Sequence, residues 1–211
     1  MEDTIELCKN YSMISRERFK NNIESINYIQ NNKINGAVVE VGVWKGGSML
    51  SMILTYEKYN ENQREFHLYD TFSGMTDPLD IDEDGAGVKA DTAMKNSVLV
   101  KAEAPYQEVH DNIYRYATYD KSKISFHVGD ILKNTFYPEK IALLRLDTDW
   151  YESTKFELDH FYKYVEKGGI VIIDDYGHWK GCKRAVHEFL EENQDIELIK
   201  IDYTGVYFIK P

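Results

Sequence analysis

Leu144-Arg-Leu-Asp-Thr-Asp-Trp-Tyr-Glu152 and Ile170-Val-Ile-Ile-Asp-Asp-Tyr-Gly177 are two apolar runs that each stop abruptly at paired aspartates. Short apolar runs bounded by turn residues read as buried strands. If the two lie side by side and parallel, Asp147, Asp149, Asp174 and Asp175 meet at one edge of one sheet. Adjacent strands sit about 4.8 Å apart, so four carboxylates share a small volume. Like charges that close repel unless some take up protons or a cation joins them. Carboxylate oxygens are the donors that Mg²⁺ and Ca²⁺ prefer. The two stretches therefore suggest a divalent-metal site before any fold is named.

The rest of the chain alternates strand and helix. Phe19, Ile23 and Ile26 fall at helical spacing and predict a helix over 16–30. Buried strands are predicted at 37–41, 66–70, 124–128, 141–146 and 170–173, with helices at 49–59, 106–116, 153–165 and 183–191. Such alternation implies a mostly parallel sheet with helices on both faces. Two last strands are predicted at 196–201 and 206–209. The Asp202-Tyr-Thr-Gly205 link between them is too short for a parallel crossover, so they pair antiparallel. Residues 1–35 form an N-terminal helical segment in this scheme. Residues 73–104 show no period and hold Gly74, Pro78, Gly85 and Gly87; a loop that long is often a lid. Its acidic run from Asp77 to Asp84 is expected to be solvated. With 211 residues and no internal repeat, a single domain over 1–211 is predicted.

The net charge of −11 argues against nucleic acid or an anionic membrane as partner, because both demand a basic face. No apolar run approaches the roughly 20 residues that cross a bilayer, and the acidic start Met1-Glu-Asp-Thr-Ile-Glu lacks the order of a secretion signal. Cys8 and Cys182, far apart and without metal spacing, fit a reducing cytoplasm.

Glu40-Val-Gly-Val-Trp-Lys-Gly-Gly-Ser48 follows a strand and opens a helix. Glycines there let a ligand approach the backbone, and the helix start presents free N–H groups. The spacing is not that of a dinucleotide fingerprint, and Glu40 would repel a pyrophosphate. Asp70, at the end of the next strand, stands where a ribose diol is held in open α/β sheets. Glu40, Gly42 and Asp70 together suit a nucleoside without a phosphate chain and with a cationic head, which is the character of S-adenosylmethionine. The plainer alternative is a tight turn that merely places a helix.

Asp147 and Asp149 are two apart and project to one side of an extended chain. Asp174 and Asp175 diverge unless the chain turns after Asp174, which Tyr176-Gly177 allows. Capping of the following helix is the competing role for Asp149. Arg145 shares a side with Asp147 and either holds a carboxylate in position or reaches the surface. His178 is close enough to reach the site, though a loop position explains it as well. Trp44, Trp150, Tyr151, Tyr176 and Trp179 gather nearby and suit stacking or plain packing.

These stretches, with His67-Leu-Tyr-Asp-Thr-Phe-Ser-Gly-Met75, Cys182-Lys-Arg-Ala-Val-His-Glu188 and Gly205-Val-Tyr207, resemble the macrocin O-methyltransferase family in order and spacing, from about Arg16 onward. The resemblance implies a Rossmann-like, seven-stranded class I methyltransferase sheet, mostly parallel with an antiparallel final strand. It also implies Mg²⁺-assisted methyl transfer from S-adenosylmethionine to a hydroxyl of a sugar or glycosylated small molecule, and a homodimer. Carried across, Asp147, Asp174 and Asp175 look like metal ligands and Asp149 like the general base. Glu40, Gly42, Ser48 and Asp70 look like cofactor contacts. Catechol O-methyltransferases share a similar metal arrangement, with a lysine base at a position that is Trp150 here, which makes Asp149 the better candidate for the base, with Asp147 the alternative. Two other classes fit the carboxylate cluster by itself, a metal-dependent hydrolase or phosphotransferase and a non-catalytic nucleoside-binding module. The first needs a phosphate cradle that Glu40 opposes.

Overall fold

The computed structural model describes all residues, Met1–Pro211. Seven strands form one sheet: β1 (Ala37–Val41), β2 (Phe66–Asp70), β3 (Ile124–Val128), β4 (Ile141–Leu146), β5 (Val165–Ile173), β6 (Ile199–Lys200) and β7 (Val206–Ile209). Their order is β3-β2-β1-β4-β5-β7-β6. β1 through β5 run parallel, while β7 is antiparallel to both β5 and β6. Every residue of β1 and of β4 is buried, as expected of central parallel strands covered on both faces.

Seven helices do the covering. α1 (Glu2–Cys8), α2 (Arg16–Asn31), α3 (Gly47–Glu57) and α5 (Tyr106–Tyr116) pack on one face, where Ile5, Phe19, Met49 and Ile113 join Val38 in one core. α6 (Tyr151–Phe161) and α7 (Lys180–Glu192) pack on the other with Val39, Leu144 and Val171, and Ala90 of α4 (Ala90–Asn96) reaches the same core. Val38 and Val39 face opposite cores because successive side chains of a strand alternate. No helix is long and apolar enough to cross a membrane.

The elements differ from the predicted ones mainly at their ends. β5 starts at Val165, well before residue 170, because Gly168, at φ +77, lets the strand continue through Lys167-Gly-Gly. β6 keeps only two residues of the predicted six. α6 and α7 begin earlier, at Tyr151 and Lys180. α4, with a single buried residue, lies inside the 73–104 segment and carries no helical period to read.

That segment is pinned rather than free-running. Met75 N–H donates to Lys101 O, and Trp150 Nε1–H donates to Thr76 O. Asp82 is fully buried within the acidic run expected to be solvated. Its Oδ1 accepts from Tyr151 N–H and its Oδ2 from Leu79 N–H. A loop aspartate thus caps α6, and Gly181 of α7 packs so closely on it that a Cβ there would stand 1.8 Å from Asp82 Oδ1.

Candidate functional site

The strand order reverses direction between β1 and β4, and open α/β sheets bind ligands beyond the strand ends at such a switch point. A cleft of about 380 Å³ opens there, walled by the ends of β1, β2, β4 and β5. Two further segments line it: Ser12 to Ile14, ahead of α2, and Leu99, Val100 and Ala102, from the 73–104 segment. Of the residues predicted for the site, Gly42, Ser48, Asp70, Asp147, Asp149, Asp174 and Asp175 all line the cleft. Glu40 does not.

One side of the cleft is the glycine-rich turn. Gly42 has φ +81, and a Cβ there would lie 2.0 Å from Asp147 O, so glycine is required where β1 passes β4. Trp44 itself adopts φ +43, a left-handed conformation costly for a bulky side chain. Asp70 steadies the turn. Its Oδ2 accepts from Val43 N–H at 2.8 Å and Trp44 N–H at 3.1 Å, and its Oδ1 accepts from Phe72 N–H at 2.8 Å. Burial raises the Asp70 pKa against the pull of those donors. Ser48 accepts from Asn22 Nδ2–H at 3.0 Å. Glu40 lies beneath the cleft floor, fully buried, with Oε1 accepting from Arg145 Nη1–H at 2.8 Å. Burial pushes its pKa up to about 7, opposed by Arg145 and Ser48.

The other side is the carboxylate cluster. Asp147, Asp149 and Asp175 each place an oxygen within 4.8 Å of the others. Asp149 sits at φ +65 and accepts from Trp179 Nε1–H at 3.0 Å. It does not cap α6, whose first N–H is taken by Asp82. Desolvation and then the charge of Asp147 raise the Asp149 pKa to about 7. Desolvation and then Asp149 hold Asp175 well above the usual carboxylate range. Asp175 Oδ2 has no hydrogen-bond partner. Three acids with oxygens this close, one of them without a hydrogen-bond partner, offer the oxygen donors that a hard divalent cation takes.

Asp174 points elsewhere. It is buried, with Oδ1 accepting from Arg145 Nη2–H and Oδ2 from Arg18 Nη1–H. Arg145 has no exposed surface and also donates from Nη1 to Asp147 Oδ2 at 2.6 Å. Burial works against its charge, yet Asp147, Asp174 and Glu40 outweigh it and raise its pKa. Of the two roles open to Arg145, the structure therefore selects the one that holds carboxylates.

Arg18 was not predicted. It lies on α2, lines the cleft, and reaches Asp202 with Nε at 3.0 Å as well as Asp174. Only the apolar face of α2 carries a sequence signal, so an arginine on its polar side has none. His178 and Trp179 both line the cleft, and Trp179 packs edge-on against buried Trp150.

The sequence pattern of the macrocin O-methyltransferase family (TylF) matches residues 3–210. Demethyldecarbamoylnovobiocin O-methyltransferase of Streptomyces niveus is 35% identical over 205 residues, spanning 94% of this chain and 75% of that protein. Mycinamicin III 3''-O-methyltransferase of Micromonospora griseorubida is 29% identical over 202 residues, spanning 94% of this chain and 78% of that protein. The solved structure of the O-methyltransferase NovP superposes with a TM-score of 0.82 at 32% identity, covering 95% of this chain and 82% of that one. With a family match over nearly its whole length, and a fold of the same kind, the chain belongs to the macrocin O-methyltransferase family and is an S-adenosylmethionine-dependent O-methyltransferase.

Proposed function

We propose that this enzyme methylates a hydroxyl of a sugar or glycosylated small molecule, with S-adenosylmethionine on the Gly42, Ser48 and Asp70 side of the cleft and Mg²⁺ beside the acceptor. The observation that carries it is one cleft walled on one side by the glycine-rich turn and on the other by the carboxylate cluster. The names of the relatives, which give demethyldecarbamoylnovobiocin, a rhamnosyl-tetracenomycin C and mycinamicin III as the molecules O-methylated, support a glycoside acceptor.

Asp147 and Asp175 would hold the cation, with Asp149 beside them. Asp174, expected from the sequence as a third ligand, is kept in this proposal for Arg18 and Arg145, which occupy both of its oxygens. A divalent cation there would polarise the acceptor hydroxyl and favour loss of its proton. Asp149 takes that proton, and a pKa near 7 suits a base working near neutrality. The acceptor oxygen bonds to the methyl carbon as the carbon–sulfur bond breaks, and neutral S-adenosylhomocysteine leaves. Arg145 holds Asp147 toward the acceptor, and the segments at 12–14 and 99–102 exclude water.

Residues 73–104 act as the lid in this proposal. The two buried, free cysteines suit a cytoplasmic enzyme, and a homodimer is the expected assembly. The test is titration of S-adenosylhomocysteine by calorimetry with Mg²⁺ and with EDTA, followed by methylation of simple glycosides in both buffers. Micromolar binding with Mg²⁺-dependent turnover supports the proposal. Binding with Mg²⁺-independent turnover removes the cation, and turnover only on non-sugar hydroxyls removes the acceptor class.

A further inference from the structure

Glu157 is a fully buried acid on α6 that does not line the cleft. Its Oε1 accepts a 2.7 Å hydrogen bond from Thr148 Oγ1–H, and its Oε2 has no partner. Burying a carboxyl group with one oxygen unsatisfied costs free energy, and a leucine or methionine would fill the same space without that cost. The group therefore needs a reason to be there, and its one hydrogen bond points to it.

Thr148 stands between Asp147 and Asp149. The chain there is no longer an extended strand, since Asp149 is left-handed at φ +65. The common direction of Asp147 and Asp149 is thus imposed by a turn, and that turn is anchored at Thr148. Thr148 O accepts from Trp150 N–H at 2.7 Å and from Ser153 Oγ–H at 3.2 Å. The Thr148 methyl lies 3.3 Å from where a Cβ on Gly42 would stand, so the turn is packed beside the glycine that ends β1. The side chain's remaining freedom is rotation of its hydroxyl, and Glu157 fixes that.

We infer that Glu157 is a positioning residue which, through the Thr148 hydroxyl, locks the Asp147–Asp149 turn so that both carboxylates face one cation. The inference rests on the cation site proposed above and concerns how the chain holds its ligands. Partners that orient metal ligands from behind are worth about 10–100-fold in metal affinity.

Mn²⁺ is the probe, titrated into the purified protein and read by electron paramagnetic resonance, with S-adenosylhomocysteine binding measured in parallel. Glu157→Met and Thr148→Val are each expected to weaken Mn²⁺ binding by about 10–100-fold while S-adenosylhomocysteine affinity holds. The double variant is expected to be no worse than either single one, because both remove the same link. Glu157→Gln restores most of the affinity, since its amide oxygen accepts from Thr148. Should Glu157→Met fold poorly, the near-isosteric Thr148→Val and Glu157→Gln carry the comparison. Wild-type Mn²⁺ affinity in Thr148→Val, independent addition of the two losses, or a Gln variant as weak as the Met variant overturns the inference with the cation site intact. A wild-type protein that binds no Mn²⁺ overturns the cation site and this inference with it.

Discussion

Replacing Arg145 with methionine removes the one guanidinium that touches Glu40, Asp147 and Asp174 together. The side chains of Arg145 and Glu40 have no exposed surface and that of Asp174 is 3% exposed, so solvent screens little of the loss. Breaking a buried ion pair by deleting one partner costs about 3–5 kcal/mol, a large share of the roughly 5–15 kcal/mol that stabilises a folded domain. For a chain of this size each kcal/mol moves Tm by about 2–4 °C, which puts the expected fall at roughly 6–20 °C. The loss also has a pH signature. Glu40 and Asp174 already titrate at about 7 with the arginine present, because burial raises them and Arg145 lowers them. Without Arg145 both rise further above their unfolded values of about 4. A carboxyl whose folded pKa is raised binds its proton more tightly in the folded state, so stability falls as pH climbs from the unfolded value through the folded one. The deficit against wild type should therefore be small at pH 5 and complete only above pH 7. Circular dichroism melts at pH 5, 6, 7 and 8 in EDTA read this directly. A Tm at pH 8 within error of wild type, or a deficit that ignores pH, would refute the neutralising role of Arg145.

Asp149→Asn keeps an acceptor for Trp179 and tolerates the left-handed backbone. It is expected to lower kcat by about 10²–10⁴ while S-adenosylhomocysteine still binds, and undiminished turnover would remove Asp149 as base. Gly42→Ala puts a methyl 2.0 Å from Asp147 O at a positive φ, at a cost of about 1–3 kcal/mol or more. Because the clash falls on Asp147, Mn²⁺ and S-adenosylhomocysteine should both bind less tightly; unchanged affinities would mean the strain relaxes away from the cleft. Asp82→Ala uncaps α6 for about 0.5–2 kcal/mol and should open the 73–104 segment to limited proteolysis, whereas wild-type resistance would show that other contacts pin it. Cation binding at pH 7 should expel a proton from the Asp149–Asp175 pair, whose pKa values are raised by desolvation and mutual repulsion. Mn²⁺ affinity should then rise between pH 6 and 8, approaching tenfold per unit for each proton released, and calorimetric enthalpies should depend on the buffer. A flat profile would count against the shared proton.

The central strands were legible because apolar runs such as Ala37-Val-Val and Ile170-Val-Ile-Ile end at acids, and no other element shows both signals. Gly168 and Gly169 hid the first half of β5, since glycines read as a stop while the structure uses them to continue. Asp82 was unreadable for a different reason. Seven neighbouring loop residues with four other acids look solvated, and only the arrival of α6 and α7 makes that one aspartate a buried cap. The carboxylate cluster could be placed at one sheet edge from sequence, but not divided. Which aspartate meets an arginine and which meets open cleft depends on α2, and the position of α2 over β4 and β5 is a tertiary fact. Glu40 shows the same limit. Its place at a strand end suggests a cofactor contact, whereas the side chain goes to Arg145 beneath the floor.

The division of the cluster has a chemical consequence. Glu40, Asp147, Asp149, Asp174, Asp175 and Asp202 make six carboxyls around two guanidiniums, Arg145 and Arg18. Fully ionised, they leave four negative charges, and like charges confined together shift their pKa values upward until something neutralises them. One divalent cation and one sulfonium carry three positive charges between them. With the proposed cofactor and cation bound, most of that charge is offset. Methyl transfer discharges the sulfonium, and the proton that leaves the acceptor protonates Asp149, so the net charge is unchanged with product bound. A base placed anywhere outside this cluster would instead add one more negative charge to a half-buried cleft, where Coulomb interactions are several times stronger than in water. The balance thus favours a base inside the cluster, and only Asp149 and Asp175 there are free of any arginine. Of these two, Asp149 is the one oriented by a neutral donor, Trp179, which fixes its geometry without stripping it of basicity.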